Sequence, residues 1–409
     1  MTILPKQNLL ILGASGTLAH AVLVYMEHHR ENFGSLTLLD QRDFPENPYV
    51  SPDRLNADFV KLRLGKETKE EFMALLRNRS IELVLDLSDA DTETVAETVF
   101  QYENASYICC AFCTSSTLPL AESVTEWVGK EHDSKKPHIF FTGMNPGSVN
   151  VWATIGMERH GLPKDITEFE YDTSRFLRAH REKMATWCIP EFIVEMVTDP
   201  AEWMLGRDKI RNGYPNGLYH RQDMESLLAP VMPLKQYPSG CIVGHEECVT
   251  LANKYDVPCK FVYSVNLETM EHLKNIYEQK GKLTEEDLVL GNNYSDPLVG
   301  ADNIGMRLEY DDQCVYYFNS AQNDLLKETS GTDYQVAIGV YAALFTLLQS
   351  QLQPGIHFTE DLLQTYFPKF LTDNMMIREF VFSKGTDNAL TQVSYDPHVS
   401  YGTGPFIKL

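Results

Sequence analysis

The sequence predicts an α/β protein: a doubly wound parallel sheet in the first third, then an α+β region with a mainly antiparallel sheet. Three observations carry this. Short apolar runs alternate with stretches of helical period up to residue 142, as in a parallel sheet covered on both faces. The first run ends in a small-residue turn, Gly13-Ala-Ser-Gly16, that opens a helix. After Asn145-Pro146-Gly147 the apolar runs become longer and more polar, as in an antiparallel sheet.

In order, residues 8–12 read as a strand, and Leu18, Ala21, Val22 and Tyr25 recur at helical spacing behind the turn. Residues 36–39 form a second strand ending in Asp40, and 59–64 a third. A helix over 69–79 gathers Phe72, Leu75 and Leu76 on one face. Strand 83–87, helix 93–102, strand 107–110, helix 118–128 and strand 139–142 complete a series that right-handed crossovers fold into one sheet. Beyond it, strands are expected at 168–176, 240–243, 261–265, 306–310 and 315–319, the last two joined by a hairpin at Asp311-Asp312-Gln313. Helices are expected at 247–254 and 267–279, and the charged stretch 281–294 reads as a surface connection. The helical pattern returns at Gln335. The apolar run 336–348 is too short to cross a bilayer and reads as a buried helix. The expected division is 1–147, 148–334 and a C-terminal helical segment, 335–409, packing near the first unit.

The 409 residues carry 57 Asp and Glu against 35 Lys and Arg, a net charge of -22. That balance argues against nucleic acid and anionic membranes as partners. An acidic cleft would suit a cationic substrate, although a solvated acidic surface is the ordinary meaning of such a charge. The eight cysteines are spread thinly, as in a cytoplasmic protein with reduced thiols. The Cys109-Cys110-x-x-Cys113 cluster lacks a second Cys/His pair, so core packing is expected and no metal site. Residues 1–7 do not read as a signal peptide.

The strongest local signal is the turn after the first strand. Gly13, Ala14, Ser15, Gly16, Thr17 and Leu18 lie where a pyrophosphate meets backbone N–H groups at a helix N-terminus, although the spacing departs from G-x-G-x-x-G. Asp40, at the end of the second strand, is placed to accept the ribose hydroxyls and to repel a 2′-phosphate. Together they read as a Rossmann unit that prefers NAD to NADP. Ser88 and Asp89, after the strand 83–87, lie at the same sheet edge and are expected to line the cofactor. Competing signatures are thin. There is no P-loop lysine and no G-x-S-x-G elbow, and His245-Glu246-Glu247-Cys248 lacks the second His of a zinc-protease helix.

From Asn145-Pro146-Gly147 onward, a series of short segments resembles bacterial homospermidine synthase, a relative of the saccharopine dehydrogenases. The segments are Glu170-Tyr-Asp172-Thr173, Thr186-Trp187 with Glu195 eight residues after Trp187, and Asp199-Pro-Ala-Glu202. His245-Glu-Glu247, Gly300-Ala-Asp302-Asn-Ile-Gly305 and Gln335-Val-Ala-Ile-Gly339 follow in the same order. The resemblance implies an NAD-dependent aminoalkyl transfer. A diamine such as putrescine is oxidised to an imine, the imine exchanges ammonia for a second amine, and the new imine is reduced. It implies that residues 148–334 bind substrate and form a homodimer. Trp187 would then lie under the reacting cation. Glu170, Glu195, Glu247 and Asp302 would anchor or deprotonate amines, and His245 and Asn145 would orient the site. Two segments depart from the family: Cys113 stands near a position the family gives to an acid, and residues 203–208 replace a glycine- and His-containing segment. A saccharopine-dehydrogenase-like reductase with net NAD(P)H turnover and a non-catalytic NAD-binding protein are the alternatives.

Overall fold

The computed structural model describes residues 6–178, 183–293, 296–386 and 389–401. Residues 1–5 of the N-terminal stretch and Tyr294 of the expected surface connection therefore lie outside the described residues.

Seven parallel strands form the first sheet, in the order Gly355–Phe358, Pro137–Phe140, Ser106–Cys109, Leu83–Asp86, Gln7–Leu12, Phe33–Asp40, Asp58–Lys61. The order reverses between Gln7–Leu12 and Leu83–Asp86, and a doubly wound sheet places its ligands outside the strand ends at that point. The Leu9–Leu12 and Leu83–Leu85 side chains are fully buried, as the near-continuous apolar runs demand of a sheet with both faces covered. The helices Thr17–His29, Lys69–Asn78, Thr92–Tyr102 and Leu120–Val128 are the expected crossovers; the last three end within two residues of the expected positions, and the first runs four residues past Tyr25.

The second sheet has ten strands. Its spine runs Ile210–Tyr214, Ala201–Met204, Cys259–Val265, Asp165–Asp172, Ala301–Glu309, Gln313–Gln322, Arg378–Lys384, Leu390–Asp396, with Ser239–Val243 and Arg221–Asp223 beside Cys259–Val265. The Cys259–Val265 pairing with Asp165–Asp172 is parallel and the others are antiparallel. The expected hairpin closes where Tyr310 N donates to Gln313 O at 2.9 Å.

Three expectations need correction. The strand expected at 168–176 ends at Asp172, whose carboxylate takes the Ser174 amide at 2.8 Å and turns the chain; Arg175–Phe176 then pairs with Leu298–Val299. The stretch 281–294 is more than a surface connection, because Val289–Leu290 pairs with Met184–Ala185, and Leu283 and Leu288 are buried. Among the described residues, the C-terminal segment is α-helical only over Gly331–Gln349 and Phe367–Asn374. It also supplies the edge strand of the parallel sheet and the last two strands of the antiparallel one. The last of them, Leu390–Asp396, shows little hydrophobic period because it lies on an edge with nearly every side chain exposed. The Gly331–Gln349 helix packs on the first unit: Tyr341 OH donates to Val22 O at 2.7 Å. A Cβ on Gly339 would stand 2.1 Å from Gly143 O. Among the described residues no helix is long and apolar enough to cross a membrane.

Candidate functional site

The glycine loop is shaped by its contact with the neighbouring strand end. Gly13 has φ +72°, and a Cβ there would stand 2.4 Å from Leu87 O, so the loop needs glycine for both its conformation and its approach. Gly16 caps the helix Thr17–His29 without a side-chain hydrogen bond, and no acid occupies the first turn. The first amides of the helix therefore remain available to an anion, which fits a pyrophosphate. Asp40 is buried and does structural work: Oδ2 accepts the Ser15 amide at 2.9 Å and Oδ1 the Arg42 amide at 2.8 Å. Oδ1 also lies 3.5 Å from Arg42 Nε, and Oδ2 retains a second lone pair for a hydroxyl.

The adjacent loop is tied down from below. Ser88 Oγ donates to Asp86 Oδ1 and Tyr107 OH to Asp86 Oδ2, both at 2.6 Å. Asp91 caps the helix Thr92–Tyr102 through Thr94 N and takes Ser115 N, each at 2.9 Å. Burial raises the Asp91 carboxyl, but these donors outweigh it and bring it to about 2. Cys113 joins the same clasp through its amide on Thr92 Oγ1 at 3.0 Å, and burial pushes its thiol far above the usual range. Gly13 to Leu18, Asp40 and Ser88 thus meet at the switch point, while Asp89 is exposed.

The second half of the site stands on the antiparallel sheet. Glu168, Glu170 and Asp172 alternate along one strand and so share one face. In register, Asp302 lies opposite Asp172, and Tyr263 opposite Glu170. Glu170 accepts Asn145 Nδ2 at 2.8 Å, from the turn that leaves the parallel sheet. Asp302 Oδ2 accepts Gln335 Nε2 at 2.8 Å, from the Gly331–Gln349 helix. Asp172 accepts Thr186 Oγ1 at 2.6 Å. Next to Thr186, the half-buried Trp187 donates its Nε1–H to Tyr263 OH at 3.1 Å and meets Phe192 edge-on. Its N–H is therefore spent on the protein, and its cation-attracting part is the ring face.

Glu195 lies in a π-helical turn, Val194–Thr198, a local irregularity found often at functional sites. One of its oxygens is 3.6 Å from His245 Nε2. On the other side of the ring, Nδ1 is hydrogen-bonded to Glu247 and lies 3.2 Å from Glu246. One ring nitrogen of His245 and one carboxylate oxygen each of Glu246 and Glu247 lie within 4.8 Å of one another. Glu246 also takes Phe112 N at 2.6 Å, which joins the acidic site to the edge of the parallel sheet.

The electrostatics are extreme. Glu168, Glu170, Asp172, Glu246, Glu247 and Asp302 are all buried, and Glu195 nearly so. Among the described residues no Lys or Arg pairs with any of them; their cationic partner is His245. Burial, followed by Asp302, holds Glu170 well above the usual carboxylate range, and burial with Asp172 lifts Asp302 to about 7. Burial raises Glu195, with His245 pulling back, and Glu246 stands at about 7 for the same reasons. Burial also disfavours charge on His245, but Glu247, Glu195 and Glu246 outweigh it and hold the imidazolium well above its ordinary range. Such a site holds protons where a bound cation would hold charge.

All seven substrate-side residues expected from sequence, Asn145, Glu170, Trp187, Glu195, His245, Glu247 and Asp302, belong to this one contiguous cluster. Sequence reasoning missed Glu168, Asp172, Glu246 and Tyr263. A usable signal existed for the first two, since acids at 168, 170 and 172 share a strand face by period two. The Asp199-Pro-Ala-Glu202 segment serves elsewhere: it caps the helix Leu120–Val128, with Asp199 on Leu120 N at 3.0 Å and Glu202 on Ala121 N at 3.1 Å. The divergent residues 203–208 run from the strand Ala201–Met204 into the turn before Ile210–Tyr214.

The fold and site define a Rossmann-type unit whose ligand edge is closed by an acid-lined, mainly antiparallel α+β unit. That architecture is shared with the homospermidine synthase of Legionella pneumophila, determined in complex with NAD. The two are 15% identical, with a TM-score of 0.69 over 90% of this chain and 89% of that one. At that identity the likeness is one of fold. The WlbA dehydrogenase of Thermus thermophilus, determined with NAD and α-ketoglutarate, is 12% identical with a TM-score of 0.36 over 86% of this chain and 97% of that one. No protein-family model and no curated protein sequence matches the chain.

Proposed function

We propose that the protein is an NAD-dependent enzyme acting on a small diamine or polyamine by homospermidine synthase-like aminoalkyl transfer. The observation that carries this reading is the buried cluster of carboxyl groups with a single imidazolium for company, set beside an indole face at the ligand edge of a Rossmann sheet. A cationic ligand is the chemical complement of that cluster.

In this reading Gly13, Ala14, Ser15, Gly16, Thr17 and Leu18 hold the pyrophosphate, Asp40 the adenosine ribose, and Ser88 and Asp89 the neighbouring part of the cofactor. Bound NAD supplies a hydride acceptor that returns the same hydride at the end of the cycle. The chain's own residues do the rest. Trp187 offers a face to the ammonium or iminium without fixing a proton on it. Asp302, lifted to about 7, and Glu170, held well above the usual carboxylate range by burial, take the proton an amine must lose before its carbon can be oxidised. Glu195 and Glu247 hold a distal ammonium through charge-assisted hydrogen bonds, and His245 and Asn145 aim the carboxyls. A cytoplasmic homodimer belongs to the same proposal, and light scattering of the purified protein checks its oligomeric part.

The test is product analysis by mass spectrometry after incubating the protein with NAD⁺ and a panel of diamines and polyamines. A secondary amine formed with no net change in nicotinamide absorbance supports the reading. In a parallel incubation with NAD(P)H, a diamine and a carbonyl compound, a secondary amine formed with stoichiometric NAD(P)H consumption replaces it with a saccharopine-dehydrogenase-like reductase. NAD binding without any product leaves a non-catalytic protein.

A further inference from the structure

Glu168 has no role in the chemistry described so far. It is fully buried, on the same strand face as Glu170 and Asp172, and neither carboxyl oxygen meets a donor among the described residues. Glu247, also fully buried, has a matching gap: one oxygen is hydrogen-bonded to His245 Nδ1, and Oε1 has no donor. The two carboxyl groups are neighbours. The other titratable groups facing them are Cys259 on the adjacent strand, Cys248 on the helix Glu246–Tyr255, Glu170, and His245 with Glu195 and Glu246 beyond it. None of these is a Lys or Arg. Two ionised carboxylates cannot share a buried contact, whereas an acid and a carboxylate satisfy each other. Since Glu247 is already the partner of the imidazolium, Glu168 is the one that keeps its proton. Burial and Glu247 both raise Glu168, whereas Glu247 lies below its ordinary value because the neighbouring His245 and Glu168 outweigh its burial.

We infer that Glu168 is a positioning residue: as a neutral acid it donates a hydrogen bond to Glu247 and completes a line, Glu168–Glu247–His245–Glu195, that fixes the imidazolium ring within the acidic cluster. No proton leaves the line. Without the Glu168 donor, the buried Glu247 carboxylate becomes the stronger base and draws the Nδ1 proton toward itself. The consequence for turnover rests on the amine-site reading, whereas the line itself is testable without substrate.

The test compares the full-length wild type with Glu168→Gln, which keeps an N–H donor, and Glu168→Leu, which keeps bulk and loses the donor. Ring-nitrogen NMR of His-labelled protein, with the signal assigned by its loss in His245→Asn, reads the protonation of His245. The wild type and Glu168→Gln are expected to stay doubly protonated near neutral pH, while Glu168→Leu titrates lower by about one unit or more. Identical titration of Glu168→Leu and wild type, or of Glu168→Gln and Glu168→Leu, overturns the inference. Infrared spectra of wild type and Glu168→Gln decide the matter should the leucine variant not fold. One protonated-carboxyl component near neutral pH should disappear, and an unchanged carboxyl band refutes the neutral acid. In amine turnover the pH profile should move in Glu168→Leu, with a loss of about tenfold at its former optimum, and return in Glu168→Gln. If neither the variants nor the wild type turns over any amine, the amine-site reading fails while the NMR result still decides Glu168.

Discussion

Replacing Asp302 with Asn should stabilise the ligand-free protein at alkaline pH and leave it nearly unchanged at acid pH. Asp302 is buried, with one oxygen accepting Gln335 Nε2 at 2.8 Å and Oδ1 lacking a partner among the described residues. Burial and the neighbouring Asp172 raise its carboxyl from 3.8 to about 7. Below the unfolded value both states carry the proton, and the group contributes no pH dependence. Between the unfolded and folded values the native state binds the extra proton, so native stability falls as pH rises. Above the folded value both states are ionised and the loss is complete. About three units at about 1.4 kcal/mol each set a ceiling of roughly 4 kcal/mol. Relaxation and water entry at the ionised site reduce this to on the order of 2 kcal/mol. Asn keeps an acceptor for Gln335 and cannot ionise. Urea unfolding at closely spaced pH values should show the stability difference, variant minus wild type, opening between about pH 4 and 7 and flat beyond. A variant less stable by the same amount at every pH would mean that Asp302 ionises freely, and the reasoning about the acidic floor would fall with it.

Three further outcomes are expected. Gly13→Ala forces φ +72° on a residue with a Cβ 2.4 Å from Leu87 O; it should cost on the order of 1–3 kcal/mol and weaken NAD at least about tenfold. Wild-type thermal midpoint and calorimetric affinity retained together in Gly13→Ala would remove the loop from the cofactor site. Asp40 should make NAD bind more tightly than NADP in parallel calorimetric titrations; equal or tighter NADP binding defeats that assignment. Trp187→Phe should lower amine affinity by roughly 0.5–2 kcal/mol, less than Trp187→Ala, with little change in the thermal midpoint of the ligand-free protein. A lowered midpoint with unchanged amine affinity would make Trp187 a packing residue, in keeping with its contact to Phe192.

Much of the fold was legible because its first third obeys local rules. The 8–12 and 83–87 runs are apolar since both faces of a parallel sheet are covered, and Gly13 with Gly16 marks a turn that few residues can make. The C-terminal region was misread for a related reason. Leu390–Asp396 sits at the far edge of the second sheet, where exposure leaves almost no periodic pattern, and Arg378–Lys384 is a short interior strand between it and Gln313–Gln322. The site was legible only in part. Trp187, Glu195 and Glu247 entered through short segments resembling a known family, and nothing in residues 199–202 distinguished a helix cap from a ligand. Glu246 and Tyr263 sit in ordinary helix and strand patterns, and their importance follows from what lies across from them.

By itself the sequence determined the alternation of strand and helix, the glycine loop with its carboxylate at Asp40, and an overall charge suited to cationic ligands. These depend on neighbours within a few residues or on totals, which a linear chain displays. The tertiary structure decided which acids are solvated and which are buried. It set Asp302 opposite Asp172, brought Asn145 to Glu170 and carried Gln335 to Asp302 across separations that local patterning does not encode. The physical reason is that an Asp or Glu has the same chemistry on any strand, whereas its proton affinity is set by the groups and the solvent the fold places around it.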